Sequence, residues 1–168
     1  MHPRRSRPAG RRSLYSPEER RRRDASGWTL VQAVLAPIQF VVFLVSLALV
    51  LRYLATGEGL ALATASIVAK TMILYAIMVT GSIWEREVFG RWLFAAAFFW
   101  EDVVSILVLA LHTAYLVALL TGSLAPREQM LLALAAYATY ALNAAQFLLK
   151  LRAARLERPA ALVAEPAR

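Results

Sequence analysis

Four long apolar segments alternate with short polar connectors along this chain. They run over about 28–54, 61–84, 92–120 and 128–150. Each segment is longer than the roughly 20 residues that an α-helix needs to cross the hydrocarbon core of a bilayer. The connectors contain glycine, proline or clustered charge, which end helices. Short connectors join neighbouring helices in opposite directions. The pattern therefore predicts an all-α, polytopic membrane protein, an antiparallel bundle of four transmembrane helices.

The segments outside the spans differ from them in composition. Residues 1–14 are rich in arginine, a composition that predicts a disordered cytoplasmic tail. Residues 157–168 are rich in alanine and proline, which predicts a flexible C-terminal tail. Between them, 15–156 form the membrane domain. Ser16, followed by a proline and two glutamates, has the composition of a helix start. It predicts a short amphipathic helix over residues 17–25, at the membrane surface.

Basic residues are distributed unevenly about the spans. Nine of the 19 lysines and arginines precede the first span, and others flank the second connector and the C-terminal end of the fourth span. The opposite side has only Arg52 and Arg127. The positive-inside rule therefore predicts that both termini are cytoplasmic. The net charge of +8 is explained by a cytoplasmic anchor, so the bilayer is expected as a partner and nucleic acid is not. The absence of cysteine excludes disulfides and thiol catalysis.

Two adjacent acids, Glu101 and Asp102, interrupt the third span. Placing an aspartate at the centre of a membrane helix costs roughly 3 kcal/mol on insertion scales. The pair therefore indicates either a functional site or a polar contact hidden inside the bundle. Counted from Trp92 at 1.5 Å per residue, Glu101 is predicted about 12–14 Å along the span.

Polar residues form one face in each predicted span. In the third span Glu101, Ser105 and His112 lie at i, i+4 and i+11, and a residue at i+11 is displaced by only about 20° from residue i. The other faces consist of Gln32, Gln39 and Ser46; Thr71, Tyr75 and Ser82; and Thr139, Asn143, Gln146 and Lys150. These faces predict a polar interior. Since the second and third spans run in opposite directions, Lys70 is predicted near the level of His112.

The same residues have purely structural interpretations. Asp102 can pair with Arg91 or Lys150 near the cytoplasmic interface. His112 can be a packing histidine, and Lys70 a counter-ion of the acidic pair. The glutamines of the first span can form interhelical hydrogen bonds. These interpretations do not explain why carboxylates, histidine, lysine and amides fall on the inner faces of one small bundle.

Four stretches carry a family resemblance, the most specific being the FFWED sequence at 98–102 with His112 eleven residues after the glutamate. The stretches are 21–43, 49–59, 80–112 and 136–155. Over about 15–156 the chain resembles the 3-vinyl (bacterio)chlorophyllide hydratases of phototrophic bacteria.

The resemblance implies a hydro-lyase of bacteriochlorophyll a biosynthesis. Its reaction adds water to the C3 vinyl group of chlorophyllide or bacteriochlorophyllide a, which gives a 1-hydroxyethyl group. The resemblance also implies a multi-pass protein of the bacterial cytoplasmic or intracytoplasmic membrane. Other pigment-biosynthesis enzymes or a second copy of the chain are further candidate partners. The magnesium belongs to the pigment substrate, so neither a cofactor nor a metal of the enzyme's own is expected.

Vinyl hydration needs a proton donor for the terminal carbon and a base for the attacking water. Glu101 and Asp102 can divide these roles, one protonated and one ionised, as paired carboxyl groups do. His112 is predicted to ligate the pigment magnesium or to transfer a proton, and Lys70 or Arg91 to pair with the propionate. Residues predicted to contact the substrate are Lys70, Trp100, Gln39, Asn143 and Tyr75. The rings of Trp92, Phe98, Phe99 and Trp100 can form aromatic walls around the macrocycle, or ordinary lipid-facing packing.

Two other function classes fit the sequence less well. In a non-catalytic pigment-binding or carrier protein, His112 would hold a pigment that does not react. In a small proton-coupled transporter, Glu101 would carry protons. The excess of basic residues on one side of the membrane argues against the dual topology of such exporters. A transporter of this kind would also not require Asp102 or His112.

Overall fold

The computed structural model describes the backbone of residues 14–156 and side chains up to residue 153, a range that contains five helices and no strand. The helices are α1 Pro17–Ala25, α2 Gly27–Thr56, α3 Leu60–Phe89, α4 Phe99–Thr121 and α5 Pro126–Leu156. The last four are long and apolar enough to cross a membrane, which confirms the predicted fold class. The two predicted tails lie outside the described residues, apart from Leu14.

Helix α1 begins with the predicted cap. The Ser16 side chain accepts a hydrogen bond from the backbone of Glu19, and the Glu19 carboxylate accepts one from the backbone of Ser16. This reciprocal arrangement satisfies two amides that the first helical turn leaves without partners. The helix has the predicted bounds, but its predicted amphipathic character is wrong: almost all of its residues are charged and none is buried.

The bundle consists of two helical hairpins. Helix α2 packs extensively on α3, and α4 on α5, while smaller α2–α5 and α3–α4 contacts bring the hairpins together. Gly57 and Gly122 end α2 and α4 in the left-handed conformation, with φ of 76° and 62°, which glycine adopts at little steric cost. The shared core includes Phe43, Ile67, Val108, Tyr115, Met130 and Tyr137.

The third membrane helix begins later than expected, at Phe99 rather than near Trp92. Gly90 ends α3 in the left-handed conformation, and the apolar residues that follow form turns, with Phe94 at a φ of 61°. Hydropathy counts these apolar residues whether or not they are helical. Glu101 and Asp102 therefore lie in the first turn of α4, where the helix dipole favours acids, and not 12–14 Å along a span.

Candidate functional site

The polar face predicted for α4 is buried where the two hairpins meet, together with parts of the faces of α2 and α3, whereas the predicted face of α5 is only partly buried. Glu101, Asp102, Ser105 and His112 of α4 are all buried, as are Gln39 and Ser46 of α2 and Lys70 of α3. Ser46 Oγ lies 2.5 Å from Tyr137 Oη, which joins α2 to α5. The contact between Lys70 and His112 joins α3 to α4. Polar contacts thus link one hairpin to the other.

Lys70 and His112 form a fully buried pair, each with 0% of its surface exposed. His112 Nδ1 lies 2.8 Å from the carbonyl oxygen of Val108. Because a carbonyl oxygen can only accept, Nδ1 carries the proton. Nε2 lies 2.8 Å from Lys70 Nζ, which donates to it. The lysine also lies over the ring of Tyr140, 4.2 Å from its centroid.

This geometry confirms that Lys70 and His112 share a level of the bundle, and it bears on their predicted roles. The prediction that Lys70 is a counter-ion of the acidic pair is wrong, because its partner is His112. Both ring nitrogens of His112 are engaged within the protein. A pigment magnesium would therefore have to displace Lys70 before His112 could ligate it, and ligation by His112 stays a prediction.

Glu101 faces α5 and forms an ion pair there. Lys150 Nζ lies 2.5 Å from Glu101 Oε2 and also donates to the backbone oxygen of Ala97. The same nitrogen lies 5.0 Å from the centroid of the Phe98 ring. Lys150 thus fixes the start of α4 against the C-terminal part of α5.

Asp102 faces α3 and meets a third carboxyl group, that of Glu85. The two carboxyl groups are close enough to interact with each other, and both side chains are buried. Asp102 Oδ2 accepts from the backbone nitrogen of Phe94 at 2.7 Å, and Glu85 Oε2 accepts from that of Ala95 at 3.2 Å. The alternative in which Asp102 pairs with Arg91 or Lys150 is not what the structure shows: among the described residues Asp102 forms no ion pair, and Lys150 is paired with Glu101.

The predicted second span ended at residue 84, which left Glu85 in the connector. The sequence nevertheless contains a pattern that places Glu85 on the buried face of this helix. Glu85 follows Leu74 by eleven residues and Thr71 by fourteen, spacings that bring a residue back to nearly the same face of a helix. All three side chains are buried on α3. The periodicity used for the other spans would therefore have included this glutamate.

The predicted amide and tyrosine contacts fall at different places. Asn143 Nδ2 donates to Ser105 Oγ at 2.7 Å, one turn of α4 beyond Glu101. Tyr75 Oη lies 2.8 Å from Thr113 Oγ1 at a more exposed position between α3 and α4. Gln39 is only 1% exposed, and neither atom of its amide has a hydrogen-bond partner among the described residues.

We expect Gln39→Met to leave the thermal stability of the detergent-solubilised protein equal or raised. A buried polar group without a partner costs about 1–3 kcal/mol, and methionine of similar length removes that cost. Tyr137→Phe is the matched comparison, because it deletes the hydroxyl bound to Ser46 and should lower the unfolding temperature. An equal loss in both variants would show that the Gln39 amide is partnered in the folded protein.

Trp100 lies on the outer surface of the bundle, with 69% of its area exposed. Its ring packs edge-on against Phe99 at 5.4 Å, and Phe99 packs against Phe94 at 5.7 Å. Trp92 is also exposed, with Arg86 stacked over its ring at 4.3 Å. The four exposed rings form what we call the aromatic patch: Trp92, Phe94, Phe99 and Trp100. Phe98 is instead buried and stacks on Phe147.

A known protein family matches the part of the chain that contains these residues. The family model described as 2-vinyl bacteriochlorophyllide hydratase (BCHF) matches residues 15–153. The chain belongs to this family. The match to the hydratase family covers α1 to α4 and most of α5, and it includes every candidate residue described above.

Two curated relatives carry the name 2-vinyl bacteriochlorophyllide hydratase. That of Cereibacter sphaeroides is 66% identical over 154 residues, which cover 91% of this chain and 95% of the relative. That of Rhodobacter capsulatus is 65% identical over 147 residues, which cover 88% and 85%. No solved structure matches the chain.

Proposed function

We infer that the chain is a hydro-lyase that adds water to the vinyl group of a bacteriochlorophyllide in bacteriochlorophyll biosynthesis. The observation that carries this inference is the family match, together with two relatives of that name at 65–66% identity over most of the chain. The 2-vinyl group of these names and the C3 vinyl group are one substituent under two numbering schemes. The product carries a 1-hydroxyethyl group in its place.

The reaction needs two proton transfers and one new carbon–oxygen bond. A carboxylic acid protonates the terminal vinyl carbon, and the positive charge forms on the carbon attached to the macrocycle, which delocalises it. Water attacks that carbon and loses a proton to a base. The base then returns a proton to the acid, so one water molecule is consumed and the enzyme is unchanged. The addition of water transfers no electrons to or from the protein. We therefore propose that the enzyme uses no cofactor.

We propose Asp102 as part of the proton donor and Glu101 as the base. Two observations support this assignment. Asp102 meets a second buried carboxyl group, that of Glu85, whereas Glu101 is ion-paired with Lys150. Since the two residues are neighbours in the first turn of α4, a proton taken up by Glu101 has a short path back to Asp102.

The aromatic patch is the proposed binding surface for the macrocycle. A flat, largely apolar pigment that dissolves in the bilayer can stack on rings that are exposed on the outer surface of the bundle. Arg91 is exposed and adjacent in sequence to Trp92, which suits it to pair with a propionate. Lys70, the other predicted partner of the propionate, is fully buried against His112.

We propose that the protein spans the bacterial cytoplasmic or intracytoplasmic membrane with both termini in the cytoplasm. Four long apolar helices and the basic asymmetry of their flanks support this orientation. The aromatic patch then lies near the cytoplasmic interface. A chlorophyllide, with one charged edge and an apolar ring, partitions to that depth.

Trp100→Leu should weaken pigment binding roughly 5- to 10-fold, in line with the loss of about 1 kcal/mol of aromatic stacking, and leave kcat little changed. Leu120→Ala removes an exposed apolar side chain at the other end of the same helix and serves as the control. The measurement is the quenching of intrinsic fluorescence by added pigment, with turnover measured in parallel. Equal affinity in wild type and Trp100→Leu would exclude this ring from the binding surface.

Incubating membranes that contain the protein with 3-vinyl bacteriochlorophyllide a, and separately with chlorophyllide a, tests the proposed function. The expected product has gained one water molecule by mass, and its absorbance spectrum reports loss of the conjugated vinyl group. Pigment that is bound but unchanged would indicate a carrier. Pigment that is neither bound nor changed would contradict the proposal.

A further inference from the structure

Glu85 and Asp102 hold two consecutive backbone amides from opposite sides. Glu85 lies near the end of α3 and Asp102 in the first turn of α4. Their carboxyl groups accept hydrogen bonds from the consecutive backbone nitrogens of Ala95 and Phe94, and they are close enough to interact with each other. The two side chains therefore meet beneath the turn segment that joins the helices.

Two buried carboxyl groups that lie close together repel each other when both are ionised, and one proton held between them removes that repulsion. A carboxylate can only accept a hydrogen bond, so a bond between the two groups requires that one of them is protonated. The backbone amides of Phe94 and Ala95 each donate to a different member of the pair, which holds the two groups in place. In such pairs one carboxyl group can stay protonated while the other is ionised.

We propose that Glu85 is a catalytic residue and that the proton it shares with Asp102 is the one delivered to the vinyl group. This assignment rests on the proposed function and adds a residue to its site. As the new carbon–hydrogen bond forms, the pair is left with no proton between its two carboxylates. Water then adds to the neighbouring carbon, and its released proton returns to the pair through Glu101.

Phe94 connects the pair to the substrate surface. Its ring belongs to the aromatic patch, and its backbone amide binds Asp102 at 2.7 Å. A macrocycle stacked on the patch would therefore lie against the residue whose backbone amide binds Asp102. Glu101, ion-paired with Lys150 of α5, lies on the α5-facing side of the same turn of α4.

The test compares Glu85→Gln with Glu85→Asp. Glutamine keeps the length of the side chain, can accept from Ala95 and can donate to Asp102, so it preserves the contacts but carries no transferable proton. Aspartate keeps the carboxyl group but is one methylene shorter. For a catalytic acid, kcat should fall at least 100-fold in Glu85→Gln, fall less in Glu85→Asp, and leave pigment affinity unchanged in both.

A residue that only holds the turn segment would give the opposite order, with glutamine the better replacement, and that order would overturn the proposal. Glu87→Gln is the matched control, because Glu87 is exposed two residues along the same helix, and the glutamine oxygen can still accept the hydrogen bond that Ser26 Oγ donates, so kcat should stay at the wild-type value. Turnover by wild type with full activity in Glu85→Gln would overturn only the role of Glu85. Absence of turnover in wild type would overturn the proposed function and this role together.

Discussion

Asp102→Asn is expected to lower the kcat of pigment hydration by roughly 100- to 10,000-fold, the usual contribution of a general acid. Asparagine is nearly the same shape and still offers an oxygen to the backbone amide of Phe94, so the turn segment should keep its position. What the variant loses is a carboxyl group that can share and release a proton. The effect should therefore fall on kcat, with pigment affinity close to that of wild type.

Single-turnover measurements in detergent, with pigment binding followed separately, separate these two quantities. Glu58→Gln is the control, because Glu58 is exposed in the connector between α2 and α3 and should behave as wild type. A kcat for Asp102→Asn within about twofold of wild type would show that the reaction does not need this carboxyl group. A loss confined to affinity would make Asp102 a structural residue of the binding surface.

The second large effect concerns stability. His112→Leu is expected to destabilise the protein by about 3 kcal/mol, because it leaves the amine of Lys70 buried with no hydrogen-bond acceptor. Replacing both residues, Lys70→Met with His112→Leu, removes both polar groups and keeps most of their volume. The double variant should therefore recover most of the stability lost in the single one.

Thermal or denaturant unfolding of wild type, both single variants and the double variant completes a double-mutant cycle. A clear coupling energy between the two positions is the expected result. If the double variant were no more stable than His112→Leu, the two side chains would not be partners in the folded protein. Pigment binding by the same variants would also test the predicted role of His112 as a magnesium ligand.

The helix bundle could be predicted from the sequence because hydropathy and helix-ending glycines act locally. Gly57 and Gly59 flank the first connector, and the helices on either side begin and end close to the predicted spans. The start of α4 could not be predicted in this way. Residues 92–98 are apolar, but a left-handed Gly90 and the carboxyl groups of Asp102 and Glu85, which bind the backbone of Phe94 and Ala95, keep this segment out of the helix.

The candidate site could also be predicted only in part from the sequence. The proximity of Lys70 and His112 followed from the rise per residue and the antiparallel direction of the two helices. Neither quantity depends on how the helices pack. The partners of the two acids did not follow, because adjacent residues on a helix are rotated by about 100° and face different neighbours. Glu101 faces α5 and Lys150, while Asp102 faces α3 and Glu85. Only packing of the helices decides which neighbour each acid meets.

The most direct test of the account is hydration of the vinyl pigment in isotopically labelled water, followed by mass spectrometry of the product. In water labelled with both deuterium and heavy oxygen, we expect a 1-hydroxyethyl group with one deuterium on its methyl carbon and heavy oxygen in its hydroxyl. That pattern requires a proton exchangeable with solvent on the terminal carbon and water on the carbon next to the macrocycle. Bound pigment that leaves the protein with an unlabelled, intact vinyl group would contradict it.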